Sequence, residues 1–401
     1  MSADPVDKSK LENVICPAVW DHLCVNTMGK NRLCCNAVTQ PGDKFIGGFD
    51  KHWNEFRDGV KSEMLLGNRP EVCNSCWKKE DAGITSLRQD FVSRYKNSKR
   101  WSNFVDRLDV TLPDPTTLDL KLGNYCNLSC RMCSGYSSSG VAGEHKKILA
   151  DTGVDIGVNE YEKEFVQDKW YIKDEFVDRI KEMINNGLRH LKFTGGEPMM
   201  VPSVLKLIDY CIDSGHAKDI DLILITNVTL IDDKWIKKFS HFRFVNIICS
   251  IDGVGNTFEY IRHPAVWTDV HSKLKNLSKQ SGDTFSISIT FTLQLYNLLE
   301  VGNMIELSNE LECGISVIVL DTPAYLDVRN APRQLKLASL DQIDKLVDLP
   351  STHKSFVNNI KNAINRPTNN DTTKQFVKLS RLKDTYKNQD IESLEIWNYY
   401  K

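Results

Sequence analysis

Between residues 118 and 320 the apolar and polar positions follow two periods in turn. Short β-branched runs carry the first: LDLKL (118–122), RHLKFTG (189–195), IDLILITN (220–227), FVNIICSID (244–252), FSISITFTL (285–293) and GISVIVL (314–320) read as strands. Between most of them the apolar residues recur at helical spacing, in VPSVLKLIDYCIDSG (201–215), DDKWIKKF (232–239), VWTDVHSKLKNLSK (266–279) and LEVGNMIELSNEL (299–311). Six such βα units in series predict parallel strands joined by right-handed crossovers. The periodicity is compatible with a doubly wound sheet and with a full or partial barrel, and does not choose between them.

The first crossover, 134–188, is long. It opens loop-like with SGYSSSGVAGE and closes with a helical VDRIKEMINNG that Gly187 can stop. Such an insertion is read as a lid, a substrate wall or a tolerated surface loop. Residues 1–112 lack the βα rhythm and are rich in loops, with Trp20, Trp53 and Trp77 as candidate core anchors. Residues 331–401 are polar and helical by pattern, broken at RPTNNDTT (366–373). The expected division is therefore 1–112, 113–330 and 331–401.

Composition narrows the partners. The chain has 51 Lys and Arg against 53 Asp and Glu, a formal charge of -2 over 401 residues, so the balance predicts neither a nucleic-acid nor a membrane partner. The segment MSADPVDKSKLENV has no apolar core of a secretory signal, and no apolar run approaches the roughly 20 residues that span a bilayer. A cytoplasmic location is expected. Twelve cysteines in that compartment are expected to be reduced, which points to metal ligands and reactive thiols rather than disulfides, and nine of them precede residue 134.

Three of the nine stand in CNLSCRMC, directly after the first predicted strand: Cys126, Cys130 and Cys133. Loops leaving the C-terminal ends of parallel strands form the active-site face. Three thiolates can hold three irons of a four-iron, four-sulfide (4Fe-4S) cluster and leave the fourth open to a small ligand. A structural zinc site with a fourth ligand nearby, or three incidental thiols, remain as alternatives. Further on, TGGEP (194–198) ends the second strand, where Gly195 and Gly196 permit close backbone approach, Glu197 can accept hydrogen bonds and Pro198 fixes the exit. ITN (225–227) and SIDG (250–253) end the third and fourth strands.

Taken together, CxxxCxxC and GGEP in this order resemble the radical S-adenosylmethionine (SAM) superfamily over residues 118 to about 320. The resemblance implies a partial (β/α)6 TIM-like barrel, with a small loop-rich, cysteine-containing N-terminal domain before it and a helical C-terminal tail. It implies a 4Fe-4S cluster with an open iron on Cys126, Cys130 and Cys133, and S-adenosylmethionine as the ligand that completes it. Met132 stands where the family usually has an aromatic residue and offers an apolar surface to the adenine. By the same resemblance the GGEP loop, Gly195 to Pro198, binds the methionine amino group. Ser250 and Asp252 meet the ribose, Asn227 lines the cavity, and Arg262 pairs with the methionine carboxylate.

A second group, Cys16, Cys34, Cys73 and Cys76, lies before the barrel. Its Cys16–x12–Gly29–x4–Cys34 spacing and its CNSC pair resemble the SPASM or twitch auxiliary-cluster motif. That resemblance implies a second iron–sulfur cluster with four protein thiolates; a four-cysteine zinc knuckle fits the same spacing. Cys35 could replace Cys34, and Cys24 is a local alternative. His22 is expected to be a packing or surface residue, and Cys211, Cys249 and Cys313 buried free thiols. The function expected is reductive cleavage of SAM to a 5′-deoxyadenosyl radical that takes hydrogen from a peptide, a protein or a small metabolite. An electron donor such as flavodoxin or ferredoxin would supply the electron. A non-catalytic cluster- or SAM-binding sensor and a zinc-stabilised scaffold are the competing classes.

Overall fold

The computed structural model describes residues 11, 13–37, 51–81, 83, 85–97, 104, 108, 115–157, 169–367 and 371–401. Among the described residues are eight strands: β1 (His22–Val25), β2 (Asn31–Arg32), β3 (Thr117–Lys121), β4 (His190–Thr194), β5 (Asp221–Thr226), β6 (Phe244–Ser250), β7 (Phe285–Leu293) and β8 (Gly314–Val319). They form one sheet in the order β2-β1-β3-β4-β5-β6-β7-β8. The pairs β1–β3, β3–β4, β6–β7 and β7–β8 are parallel, and β1–β2 is antiparallel. The fold is thus a mixed α/β fold with a mostly parallel sheet, in agreement with the partial barrel expected.

All six βα strands lie where the alternation places them. Two further strands, β1 and β2, precede them. All four residues of HLCV are buried, so this strand shows no polar–apolar alternation, and β2 is only two residues long. The expected boundary at residue 112 lies outside the described residues, as do residues 368–370 of the C-terminal breaker.

The chain divides into two compact units. The first takes its described residues from Met1–Gly123, Asp168–Gly195 and Pro202–Asp221, and so contains β1 to β4. Its helices are α1 (Pro17–Asp21), α2 (Lys51–Leu65), α3 (Asn74–Asp81), α4 (Leu87–Asn97), α6 (Asp174–Asn185) and α7 (Pro202–Asp213), α5 belonging to the other unit. Helix α6 buries Phe176, Val177, Ile180, Met183 and Ile184, one apolar stripe at helical spacing, and Gly187 follows it at φ 97°. Leu23, Leu118, Leu120, Leu191 and Phe193 from the strands are fully buried.

The second unit comprises Asn124–Gln167, Gly196–Val201 and Leu222–Lys401 and contains β5 to β8. Its helices are α5 (Ser139–Thr152), α8 (Asp233–Phe239), α9 (Gly255–Ile261), α10 (Trp267–Ser278), α11 (Val301–Glu310), α12 (Arg333–Asp344), α13 (Ser351–Asn365) and α14 (Thr373–Lys387). In β7 the apolar positions Phe285, Ile287, Ile289, Phe291 and Leu293 are buried, while the serines and threonines between them are half-buried on the other face. Asp232 caps α8 by accepting from the Trp235 amide at 3.0 Å, and Ser138 caps α5. Helix α13 packs on β8 and sets Phe356 against Phe291. The C-terminal helices are therefore part of this unit's core.

Candidate functional site

The three-cysteine loop of the second unit is held by main-chain hydrogen bonds from a distant segment. The Ser129 amide donates to the His263 carbonyl at 2.8 Å and the Arg131 amide to the Ile261 carbonyl at 2.9 Å. Asn124 Nδ2 donates to the Gly135 carbonyl and Ser138 Oγ to the Leu128 carbonyl, each at 2.6 Å. The loop's shape is thus set by the protein itself. Cys130 is buried, and Cys126, Met132 and Cys133 are half-buried. The Cys130 and Cys133 thiols hydrogen-bond each other, which lowers Cys130 and raises Cys133, while burial pushes Cys126 up to about 11. Arg262 favours the thiolate at all three positions.

The GGEP glycines are required by the neighbouring backbone. A Cβ on Gly195, at φ 126°, would lie 2.8 Å from the Gly123 carbonyl oxygen. One on Gly196 would lie 2.2 Å from the Tyr125 carbonyl oxygen, which accepts the Glu197 amide at 2.7 Å. The loop therefore packs backbone against backbone on the residues leading into Cys126. Glu197 is 1% exposed, and its carboxylate accepts from Thr226 Oγ1 at 2.9 Å, the Asn227 amide at 2.8 Å and the Met199 amide at 3.3 Å. Burial raises it to about 7 against the pull of these donors. Its acceptor capacity is largely used inside the protein, so its visible role is to tie the exit of β5 to the GGEP loop. Pro198 is buried beside it.

Asn227 continues this link. Its Nδ2 donates to Asn127 Oδ1 at 2.9 Å and stands 4.0 Å from Cys126 Sγ, and its Oδ1 accepts from Thr229. Ser250 is half-buried at the end of β6, opposite Thr290. Asp252 and Arg262 face each other, Arg262 Nη2 lying 2.7 Å from Asp252 Oδ2, and both are buried. The pair is close but misaligned: Asp252 Oδ2 and Arg262 Nε make no hydrogen bond. Burial raises Asp252, and Arg262 opposes that rise.

In the first unit, Cys16, Cys34, Cys73 and Cys76 line one small cavity of about 20 Å³ with Leu33 and Arg88. Burial pushes Cys34 up to about 11 and Cys73 up to about 12, and raises Cys16 well above the usual thiol range, where its three partners add to the effect. Cys24 and Cys35 are not among the lining residues. Arg88 is a member that the cysteine spacing does not announce. It is buried, ion-paired to Glu80 at 2.6 Å, and bonded to the Ile15 carbonyl at 3.0 Å. Gly29 sits at φ 75° in the β1–β2 turn, whose Asn26 side chain accepts the Met28 and Lys30 amides. A Cβ there would meet the Trp170 ring at 2.9 Å, so this glycine serves both the turn and the packing.

His22 is buried edge-on to Phe91, and burial lowers it to about 4. Cys211 and Cys249 are fully buried and Cys313 is half-buried. No helix among the described residues is long and apolar enough to cross a membrane.

Residues 120–307 match the family model described as the radical SAM superfamily. This segment belongs to that superfamily. The sporulation killing factor maturation protein SkfB of Bacillus subtilis (strain 168) is 25% identical over 199 residues, covering 46% of this chain and 39% of that protein. The chain thus spans well under two thirds of the length of this curated relative. Among solved structures, anSMEcpe with bound AdoMet and a peptide is 19% identical, with 56% of this chain and 57% of that chain covered and a TM-score of 0.37. Streptococcus suis SuiB bound to S-adenosylmethionine is 13% identical, with 72% and 63% covered and a TM-score of 0.37.

A radical SAM domain implies a 4Fe-4S cluster and S-adenosylmethionine, and the residues present fit both. The donor set is the hydrogen-bonded Cys130 and Cys133 thiols with Cys126 acting on both and the Arg262 cation beside them. The misaligned Asp252–Arg262 pair supplies buried polar atoms that a ligand's hydroxyl or carboxylate could satisfy.

Proposed function

We infer that the chain is a radical SAM enzyme acting on a peptide or protein, with Cys126, Cys130 and Cys133 as the ligands of its catalytic cluster. The observation that carries this reading is the set of three thiols on one protein-braced loop, joined through Asn227 and Glu197 to the GGEP loop. When bound, the reduced cluster and S-adenosylmethionine supply a 5′-deoxyadenosyl radical that abstracts a substrate hydrogen. The chain's own contribution is to orient and shield. Gly195 and Gly196 allow the GGEP loop to lie against the cysteine loop, and Met132 offers an apolar surface for the adenine. Arg262 and Asp252 are assigned to the methionine carboxylate and the ribose, and Ser250 to the same hydroxyl-bearing end. The peptide or protein class is supported by the likeness to a maturation protein.

The four-thiol cavity is assigned to an auxiliary iron–sulfur cluster. Convergence of all four motif cysteines on one cavity, with Arg88 beside them, supports this. The ligands of a cluster stand farther apart than those of a lone zinc ion, because irons and sulfides lie between them.

Anaerobic reconstitution followed by dithionite and S-adenosylmethionine tests the reading. Chromatography should detect 5′-deoxyadenosine from the native chain and none from a Cys126→Ala, Cys130→Ala, Cys133→Ala variant. A fully loaded cluster that yields no 5′-deoxyadenosine would sink the enzymatic reading in favour of a sensor.

A further inference from the structure

Helix α14, at the C-terminal end of the second unit, carries two buried lysines to the cysteine loop. Lys387 Nζ donates to the Ser129 carbonyl at 2.6 Å and Ser129 Oγ at 2.7 Å, and pairs with Glu144 at 2.5 Å. Lys383 Nζ donates to the Arg131 carbonyl at 3.2 Å. The two lysines thus grip the residues on either side of Cys130. Arg131 is fully buried under the Tyr260 ring at 3.6 Å and is ion-paired to Asp384 of the same helix.

Four buried cations, Arg131, Arg262, Lys383 and Lys387, surround the loop together with four carboxylates, Asp384, Asp252, Glu144 and Glu197. Three of these carboxylates each pair with a different cation, Asp384 with Arg131, Asp252 with Arg262 and Glu144 with Lys387, while Glu197 accepts from Thr226 and the Met199 and Asn227 amides. Among the described residues, Lys383 is the one of these four cations without an ion-paired carboxylate. It is 2% exposed, and one carbonyl is its hydrogen-bond acceptor although an ammonium has three donors. A buried cation without a paired anion is costly, so its retention calls for a negative group nearby. Burial lowers the Lys383 ammonium below its ordinary range, while Tyr296, Glu144 and Cys133 favour its charged form.

We propose that Lys383 is the built-in counter-charge of the iron–sulfur cluster on Cys126, Cys130 and Cys133, and that it eases entry of an electron into that cluster. Three thiolates around a core of charge 2+ carry one net negative charge, and one electron from an external donor raises it to two. The electron stays on the irons; no bond is made or broken and no proton moves. A fixed positive charge in a low-dielectric surround stabilises the more negative state more strongly. Lys383 is therefore a positioning residue that acts through the cluster. Lys387 braces the loop.

The proposal rests on the cluster assignment above, and the test separates the two. The 401-residue chain is reconstituted anaerobically and titrated with dithionite, following by EPR the reduced signal that the triple-cysteine variant lacks. Lys383→Met and Lys383→Gln should each disfavour reduction about tenfold, a shift of 59 mV to more negative potential for a one-electron couple. Lys383→Arg should stay within about threefold of the native chain, and exposed Lys345→Met should match it. Iron content and circular dichroism report whether each variant is loaded and folded. Should Lys383→Met not fold, Lys383→Gln, which keeps a donor for the Arg131 carbonyl, carries the comparison. Unchanged potentials in loaded Lys383→Met or Lys383→Gln overturn this proposal alone, whereas a native chain without the signal overturns the cluster assignment beneath it.

Discussion

Cys126, Cys130 and Cys133 share one eight-residue loop, whereas Cys16, Cys34, Cys73 and Cys76 come from three separate stretches of the first unit. The loop is shaped by main-chain hydrogen bonds to Ile261 and His263, and two of its three thiol residues remain half-buried. The four-thiol cavity is lined by apolar side chains with Asn36, Ser75 and Arg88 among them; Cys34 and Cys73 are half-buried there as well, and every shift resolved for its thiols is upward through burial. A loop with an incomplete ligand set suits exchange with a small molecule. A closed set of four suits a resident cluster that keeps its ligands.

Separating the two sets of thiols breaks the comparison most sharply. The triple variant of Cys126, Cys130 and Cys133 should lower iron from about eight to about four per chain and abolish 5′-deoxyadenosine formation. A Cys73→Ala, Cys76→Ala variant should lose the other four or so and still cleave S-adenosylmethionine. Near-zero iron with stoichiometric zinc in the native chain would contradict both assignments. Next in size is Arg88→Met, which leaves the Glu80 carboxylate without its cation and with Ser86 as a hydrogen-bond donor. It should cost about 3–5 kcal/mol in urea unfolding and loosen the auxiliary site. Gly196→Ala, whose Cβ would strike the Tyr125 carbonyl oxygen at 2.2 Å, should cost about 3 kcal/mol and misplace the cysteine loop.

A smaller effect is expected from Glu197, measured in metal-free protein. Its folded-state pKa is about 7 against an ordinary 4.5, so between these values the folded state holds a proton that the unfolded state has lost. Stability from this group is therefore full below about pH 4.5 and falls as pH rises through 7. The difference between native protein and Glu197→Gln should change by about 3 kcal/mol or less across that window, in favour of the variant at higher pH. A difference independent of pH would contradict the assignment of a raised pKa. Least affected is Cys35→Ser. Since Cys35 does not line the cavity, iron content should be unchanged and stability should move by less than about 1 kcal/mol. Loss of iron there would move the ligand from Cys34 to Cys35.

The legible parts of the sequence were those with a local period. In β7, FSISITFTL alternates cleanly, and the strand spans the whole run. CNLSCRMC and TGGEP were also visible, but the reason for the glycines was only partly so: they fit a neighbouring backbone whose approach no spacing encodes. HLCV was missed because a strand buried along its whole length carries no alternation. Arg88 and Lys383 could not be found by pattern. Lys383 reaches Arg131 across 252 positions of chain, and a lysine on a polar-looking helix reads as solvated until its burial is seen.

The central claim is that the metal on the three-cysteine loop has a coordination position that S-adenosylmethionine fills. EPR of the dithionite-reduced Cys73→Ala, Cys76→Ala variant, recorded before and after adding S-adenosylmethionine, addresses it directly. The account predicts a changed signal from the remaining cluster when S-adenosylmethionine is added, and no cluster signal once Cys126, Cys130 and Cys133 are also replaced. A cluster spectrum that is the same with and without S-adenosylmethionine would contradict it.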